Sequence, residues 1–216
     1  MAGQTDQALA TLRQGILTGT FPPGARYTET ELATLLGMSR TPVREAMQAV
    51  AAAGLASVTP RRGMTVSALS AEDMAEIYEV LTALESAAAA RLAALDPRDL
   101  APLEAALAAM EHALSMGDRD AWAEADAAFH RSLMEQAGNT RMAEAAARYT
   151  DQVHRARMLT LHLRPEPVHS VRDHAELLTA IRSNDPERAH AVHSAHRQRA
   201  SEMLQDVIRR HHLPRL

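Results

Sequence analysis

The sequence predicts a mostly α-helical protein: an N-terminal winged helix-turn-helix followed by a C-terminal all-α bundle of six to seven helices. Three observations predict it. Alanine and leucine dominate the 216 residues and aromatics make up only 3%, a balance that favours helix because these side chains lose little freedom there. The 9 glycines and 10 prolines cluster between long apolar-periodic runs, where they punctuate helices. Beyond residue 67 no segment sustains period-two alternation, the signature of a half-buried strand.

The elements follow in order. Leu9, Leu12, Ile16 and Leu17 share one face of a first helix over 4–18, ended by Gly19. Phe21-Pro22-Pro23-Gly24 is a rigid turn. Thr28 and Glu31 form a capping box that opens a helix carrying Leu32, Leu35 and Leu36 and stopping at Gly37. Ser39 is an N-cap candidate for the next helix, with Pro42 in its first turn and Val43, Met47 and Val50 leading to Gly54. Two short helices joined by a tight turn are the geometry of a helix-turn-helix. Segments 51–58 and 64–66 flank Thr59-Pro60-Arg61-Arg62-Gly63 and predict a two-stranded hairpin, a wing with two arginines at its tip.

These signals divide the chain into a winged module over 1–67, a linker over 68–72 and a helical domain over 73–216. Beyond the winged module, helices are expected near 70–94, 97–116, 119–137, 139–163, 168–183 and 186–211. Asp96-Pro97 and Asp185-Pro186 act as starts, Gly117-Asp118 and Gly138-Asn139 as stop-and-cap pairs, and 164–167 is the one clear loop. Antiparallel helices of this length make a bundle that can bury a cavity.

The formal net charge is −4, but its distribution is uneven: residues 1–67 hold six arginines against four acids, and the remainder 17 arginines against 23 acids. A basic head on an acidic body suits two halves with different partners. Lysine is absent, which reads as a coding bias. With no cysteine, disulfides, thiolate metal sites and cysteine nucleophiles are excluded. No signal-peptide pattern or long apolar run occurs, so a cytoplasmic location without membrane contact is expected.

Arg40, Thr41 and Arg44 lie at the start of the second helix of the helix-turn-helix, the end that enters the major groove. Arginine binds guanine O6 and N7 in a bidentate way, and threonine contacts phosphate or a thymine methyl. Ser39, just ahead of this helix, and Thr30, at the start of the preceding one, are further candidates for contacting DNA, and Arg61, Arg62 and Gly63 on the wing are placed to reach the backbone or minor groove. Double-stranded DNA is therefore the expected partner.

In the bundle, Asp126 and His130 are four residues apart and share a helix face. With His174 and His196 on other helices they make a chemically competent set for Zn²⁺, Ni²⁺, Mn²⁺ or Fe²⁺. Spacing alone leaves open that they are ordinary core or surface pairs. His193, three residues before His196, is the alternative ligand from that helix. His112, His154, His162, His169, His211 and His212 read as surface residues, and Trp122 as packing.

The run ILTGTFPPGARYTETELATLLGMSRTPVREAMQAVAAAGLASVTPRRGMTVS, above all SRTPVREA and PRRG, resembles the GntR family of bacterial transcriptional regulators. IYEVLTALESAAAARLAA, DAAFHRSLMEQAGN, RDHAELLTAI and DPERAHAVHSAH resemble the FadR-type C-terminal domain, in the branch named FCD. The resemblance implies a ligand-responsive regulator that binds an inverted-repeat operator as a homodimer. It also implies that Asp126, His130, His174 and His196 hold a divalent metal whose open positions take a small-molecule effector such as a carboxylate. Leu81 stands where family members often carry an arginine, which implies an effector less acidic than the family norm or one held by metal alone. Arg155 and Arg157 are the candidate substitutes for that arginine.

Two other functions compete. The bundle of a DNA-binding protein can serve dimerisation only. A metal-dependent hydrolase is the second, since Asp173-His174 reverses an HD pair. Against the hydrolase, there is no H-E-x-x-H, no G-x-S-x-G and no glycine-rich phosphate loop, so no enzyme activity is expected.

Overall fold

The computed structural model describes residues 3–96 and 98–211. These residues divide into two compact units, one built on residues up to Ser70 together with Ala147–Leu159, the other on Ala71–Ala146 and the segment from Thr160.

The first unit runs α1 (Gln4–Leu17), β1 (Arg26–Tyr27), α2 (Glu29–Leu36), α3 (Arg40–Ala52), β2 (Ala56–Thr59) and β3 (Gly63–Val66). The amphipathic face of α1 packs on α3, so that Leu12 and Ile16 join Leu32, Val43, Met47 and Met64 in one apolar core. Phe21 closes tightly over α1. A Cβ at Gly15 would come 2.4 Å from its ring, so this close approach requires glycine.

The capping box is present in full: Thr28 N–H donates to Glu31 Oε2 at 2.7 Å and Glu31 N–H to Thr28 Oγ1 at 3.2 Å. Gly37 takes the left-handed conformation that ends α2. Ser39 occupies the N-cap position of α3 without a side-chain hydrogen bond.

The wing departs from the expected hairpin. α3 continues to Ala52, so the first wing strand starts at Ala56 and not near residue 51. The sheet has three strands in the order β1-β3-β2, both pairs antiparallel, with Thr65 opposite Arg26 on one side and Ser57 on the other. A strand of two residues is too short to show alternation in the sequence.

The second unit contains α4 (Ala71–Ala94), α5 (Ala101–Met116), α6 (Arg119–Gln136), α8 (Val168–Arg182) and α9 (Pro186–Arg210). α7 (Thr140–Thr160) is shared by the division, its residues 147–159 clustering with the first unit. There Gln152 Nε2 donates to the Ala53 carbonyl at 3.3 Å and Arg155 Nη1 to the Ser67 carbonyl at 2.6 Å.

α4 packs along α9 and also meets α6 and α8, α8 packs on α9, and α5 pairs with α6. Caps begin several of these helices. Asp118 accepts from Ala121 N–H, Asn139 from Met142 N–H and Asp185 from Arg188 N–H. Two boundaries differ from expectation. α5 begins at Ala101 with Leu100 at its N-cap, not at 97, and Pro97 lies outside the described residues. The helix expected over 139–163 ends at Thr160 and closes with a 3₁₀ turn over Leu161–Leu163.

Candidate functional site

Two groups of polar side chains stand out, one in each unit. In the first unit, Thr30, Arg40, Arg44, Arg61 and Gly63 line a single cleft of about 720 Å³ between the helix-turn-helix and the wing. Ser39, Thr41 and Arg62 are exposed in the same unit. Arg61 sits at φ +63° in a turn closed by Arg62 N–H to the Thr59 carbonyl at 3.0 Å, with Pro60 at the preceding corner. Gly63 follows at φ +87°, and a Cβ there would meet the Tyr27 carbonyl oxygen at 2.2 Å. Glycine is thus what allows the base of the wing to close on β1.

The exposed arginines of α3 are ordered by Glu29, in the first turn of α2. Arg44 donates from Nε to Oε1 at 2.9 Å and from Nη2 to Oε2 at 2.8 Å; Arg40 Nη2 donates to Oε2 at 3.2 Å. The bonds from Arg44, joined by Arg40, pull the Glu29 carboxyl down to about 2, so it is ionised at neutral pH.

In the second unit, Asp126, His130, His174 and His196 converge. Each offers one ligand atom, and those atoms all lie within 4.8 Å of one another in the buried interior. His130 Nε2 is 3.6 Å from Asp126 Oδ2, and His174 Nε2 is 3.7 Å from Asp126 Oδ1. The ring centroids of His174 and His196 are 4.5 Å apart, and those of His130 and His174 5.2 Å.

Outer partners set the tautomers of two of these rings. His174 Nδ1 lies 2.6 Å from the Ser170 carbonyl, a pure acceptor, so Nδ1 carries the proton and Nε2 presents its lone pair inward. His196 Nδ1 lies 3.2 Å from Asp173 Oδ2, which leaves its Nε2 free in the same way. Asp173 is itself held by Arg199 Nη2 at 2.7 Å. Burial would raise the Asp173 carboxyl, but the bonds from His196 and Arg199 outweigh it and bring it to about 2.

Burial pushes His174 and His193 well below their ordinary range and lowers His196. These imidazoles are therefore neutral, the form that ligates metal. His174 Nε2 and His130 Nε2 are buried with no hydrogen-bond partner among the described residues. Buried polar atoms are rarely left so, and three imidazoles with a carboxylate suit a borderline divalent cation. The residues fit a metal.

Sequence reasoning missed Glu85. Its Oε2 lies 3.0 Å from His130 Nδ1, 3.4 Å from His193 Nε2 and 3.4 Å from Arg197 Nε. Burial alone would raise this carboxyl; the Arg197 charge, then His130 and His193, outweigh it and hold it well below the usual carboxylate range. Arg197 also stacks on Tyr78, 4.7 Å above the ring centroid. The guanidinium beside Glu85 disfavours a second cation there, so Glu85 and His193 form an outer layer around His130. A signal was available: Glu85 follows Leu81 by four residues on the buried stripe of α4, where a charge is out of place.

The candidate effector residues are distributed differently. Leu81 is buried on α4 one turn before Glu85. Arg155 falls in the unit of the winged module, its Nη1 bonded to the Ser67 carbonyl. A half-buried Arg157 falls in the same unit.

A winged helix-turn-helix joined to a helical domain with a buried His/Asp cluster defines a class, the DNA-binding regulator with an accessory helical domain. Residues 4–66 match bacterial regulatory proteins of the gntR family, and residues 76–211 match the FCD domain. The chain is similar to the HTH-type transcriptional regulator YdhC of Bacillus subtilis, 31% identical over 91% of this chain and 89% of that protein. An HTH-type regulator from the TAR-I ttuE-ttuC' intergenic region of Agrobacterium vitis is 45% identical over 62% of this chain and 80% of that protein. The solved structure of E. coli McbR/YncC matches with a TM-score of 0.78 at 25% identity, covering 95% of this chain and 99% of that one. The protein belongs to the GntR family of DNA-binding transcriptional regulators, in the group carrying an FCD domain; the family is one of regulators and not of enzymes. No described helix is long and apolar enough to cross a membrane.

Proposed function

We propose that this regulator binds an inverted-repeat operator as a homodimer and that a small-molecule effector, sensed at a divalent cation in the helical domain, controls that binding. The observation that carries the sensor reading is the convergence of Asp126, His130, His174 and His196 within one buried cluster. Ser170 and Asp173 orient two of the rings, and Asp126 offers the one carboxylate in the set. When bound, the cation supplies open coordination positions to an anionic effector group such as a carboxylate. On the DNA side, Arg40, Thr41 and Arg44 are assigned to base edges and Arg61 and Arg62 to the backbone or minor groove. Their exposure and the shared cleft of Arg40, Arg44 and Arg61 support that assignment.

Elemental analysis with thermal melting, with and without chelator, tests the sensor on wild type and His174→Ala. Wild type is expected to take up Zn²⁺, Ni²⁺ or Mn²⁺ and to melt higher when loaded, and His174→Ala to lose most of that gain. A wild type that takes up none of these metals and melts identically to His174→Ala refutes the metal site. Light scattering tests the assembly: a monomer at micromolar concentration that still binds one half-site tightly refutes the dimer.

A further inference from the structure

We infer that Glu29 is a specificity-determining positioning residue: by gripping one edge of Arg44 and touching Arg40, it presents the opposite edge of Arg44 to a guanine. The inference rests on the assignment of Arg44 to base edges given above.

The chemistry follows from which donors are taken. A guanidinium carries five N–H donors in a rigid plane. Glu29 engages Nε and Nη2 of Arg44, the side-on edge, at 2.9 and 2.8 Å. The end-on pair, one N–H on Nη1 and one on Nη2, remains. That pair matches the spacing of guanine O6 and N7. An arginine projecting alone from a helix must freeze its rotamers when it meets DNA, and fixing them beforehand removes part of that cost.

A role in fold stability does not account for the arrangement. The Arg44 side chain is 58% exposed and Glu29 25% exposed, and ion pairs so accessible contribute little to stability. Neither side chain belongs to the apolar core of the unit. The placement of Glu29 also makes sense of a carboxylate in a cleft whose other charged lining residues are Arg40, Arg44 and Arg61. A negative charge there opposes phosphate, so it penalises contacts that lack the correct base. Attraction to one partner and repulsion of others together make specificity.

The test uses the full-length protein and a duplex selected by wild type from a random-sequence library. Affinities are measured at one fixed salt concentration for that duplex, for versions with each guanine replaced in turn, and for an unrelated duplex. Wild type, Arg44→Ala, Glu29→Gln and Glu29→Ala are compared, each with its melting temperature. Arg44→Ala is expected to lose about tenfold or more of the discrimination at one guanine. Both Glu29 variants are expected to lose discrimination at that same guanine, to bind the unrelated duplex at least as tightly as wild type, and to melt as wild type does. If both Glu29 variants keep wild-type discrimination while Arg44→Ala loses it, the inference is overturned and the assignment of Arg44 stands. If the Glu29 variants bind every duplex more tightly in equal proportion, Glu29 only masks charge and the inference is again overturned. If Arg44→Ala keeps every guanine preference, both the assignment of Arg44 and the role of Glu29 fall.

Discussion

Acid should destabilise the metal-free helical domain steeply, and the histidine cluster sets the size of the effect. His174, His193 and His196 are buried and held below their ordinary value of 6.5. Above pH 6.5 these rings are neutral in both the folded and unfolded chain, so they contribute no pH dependence. As pH falls below 6.5 the unfolded chain takes up protons that the folded chain refuses, and stability falls with it. His174 and His193, the two held well below that value, each cost about 1.4 kcal/mol per pH unit in that window, together about 3 kcal/mol per unit, and His196 adds to the loss. Asp173 and Glu85, also depressed, remain ionised in both states until about pH 4.5 and add to the loss only below it. Against a total stability of roughly 5–15 kcal/mol, a fall from pH 6.5 to 5 should remove a large share of the domain's stability. Trp122, the single tryptophan, is buried in α6 beside this core, so its fluorescence follows the helical domain without signal from the winged module. Urea titrations between pH 7.5 and 5 in chelator give the slope. His174→Ala should remove between about one third and one half of it, since one of the two most strongly lowered rings is gone. A stability that stays level from pH 6.5 to 5 would refute the reasoning.

Three further outcomes follow from the same geometry. Glu85→Gln weakens the charge facing His130 Nδ1 and should lower metal affinity about 10–100-fold, read by competition with a chelating dye; unchanged affinity would remove Glu85 from the metal's surroundings. Gly63→Ala forces a Cβ against the Tyr27 carbonyl at a positive φ and should cost about 1–3 kcal/mol or more in denaturant unfolding of the winged module; a neutral effect would mean that the wing closes differently. Arg62→Ala should weaken binding to all duplexes alike and reduce the salt slope by about 1, whereas a loss confined to one sequence would move Arg62 to base reading.

The parts of the fold that were legible in sequence are those whose cause is local. Thr28 and Glu31, or Asp185 and Pro186, act within one turn of their own backbone, so a helix start can be read from three or four residues. β1 was not legible, because Arg26–Tyr27 becomes a strand only through its pairing with Met64 and Thr65. The start of α5 was misplaced by four residues because Asp96-Pro97 carries the same local signature as Asp185-Pro186. The position of residues 147–159 was not legible either. A helix face shows that it will be buried, but not whether Ser67 or some other group will lie against it.

The candidate sites divide along the same line. Asp126 and His130 are visible as a pair because four residues are one helical turn; nothing in their spacing selects His174 or His196 out of 11 histidines. Those two came from resemblance, and the cluster gives them a physical basis: each has an acceptor for its Nδ1 within one turn of α8. The two carboxylates that matter most for charge were missed for a single reason. Glu29 and Glu85 answer to arginines 15 and 112 positions away, so each reads in sequence as an ordinary helical acid. What marks Glu85 is a contradiction between levels: a charge on a stripe that otherwise reads Met74, Tyr78, Leu81, Leu92. Such a residue stays in a core only if something compensates it. Asking what compensates it leads from α4 to Arg197 and His193 on α9, and through His130 to the cluster on α6.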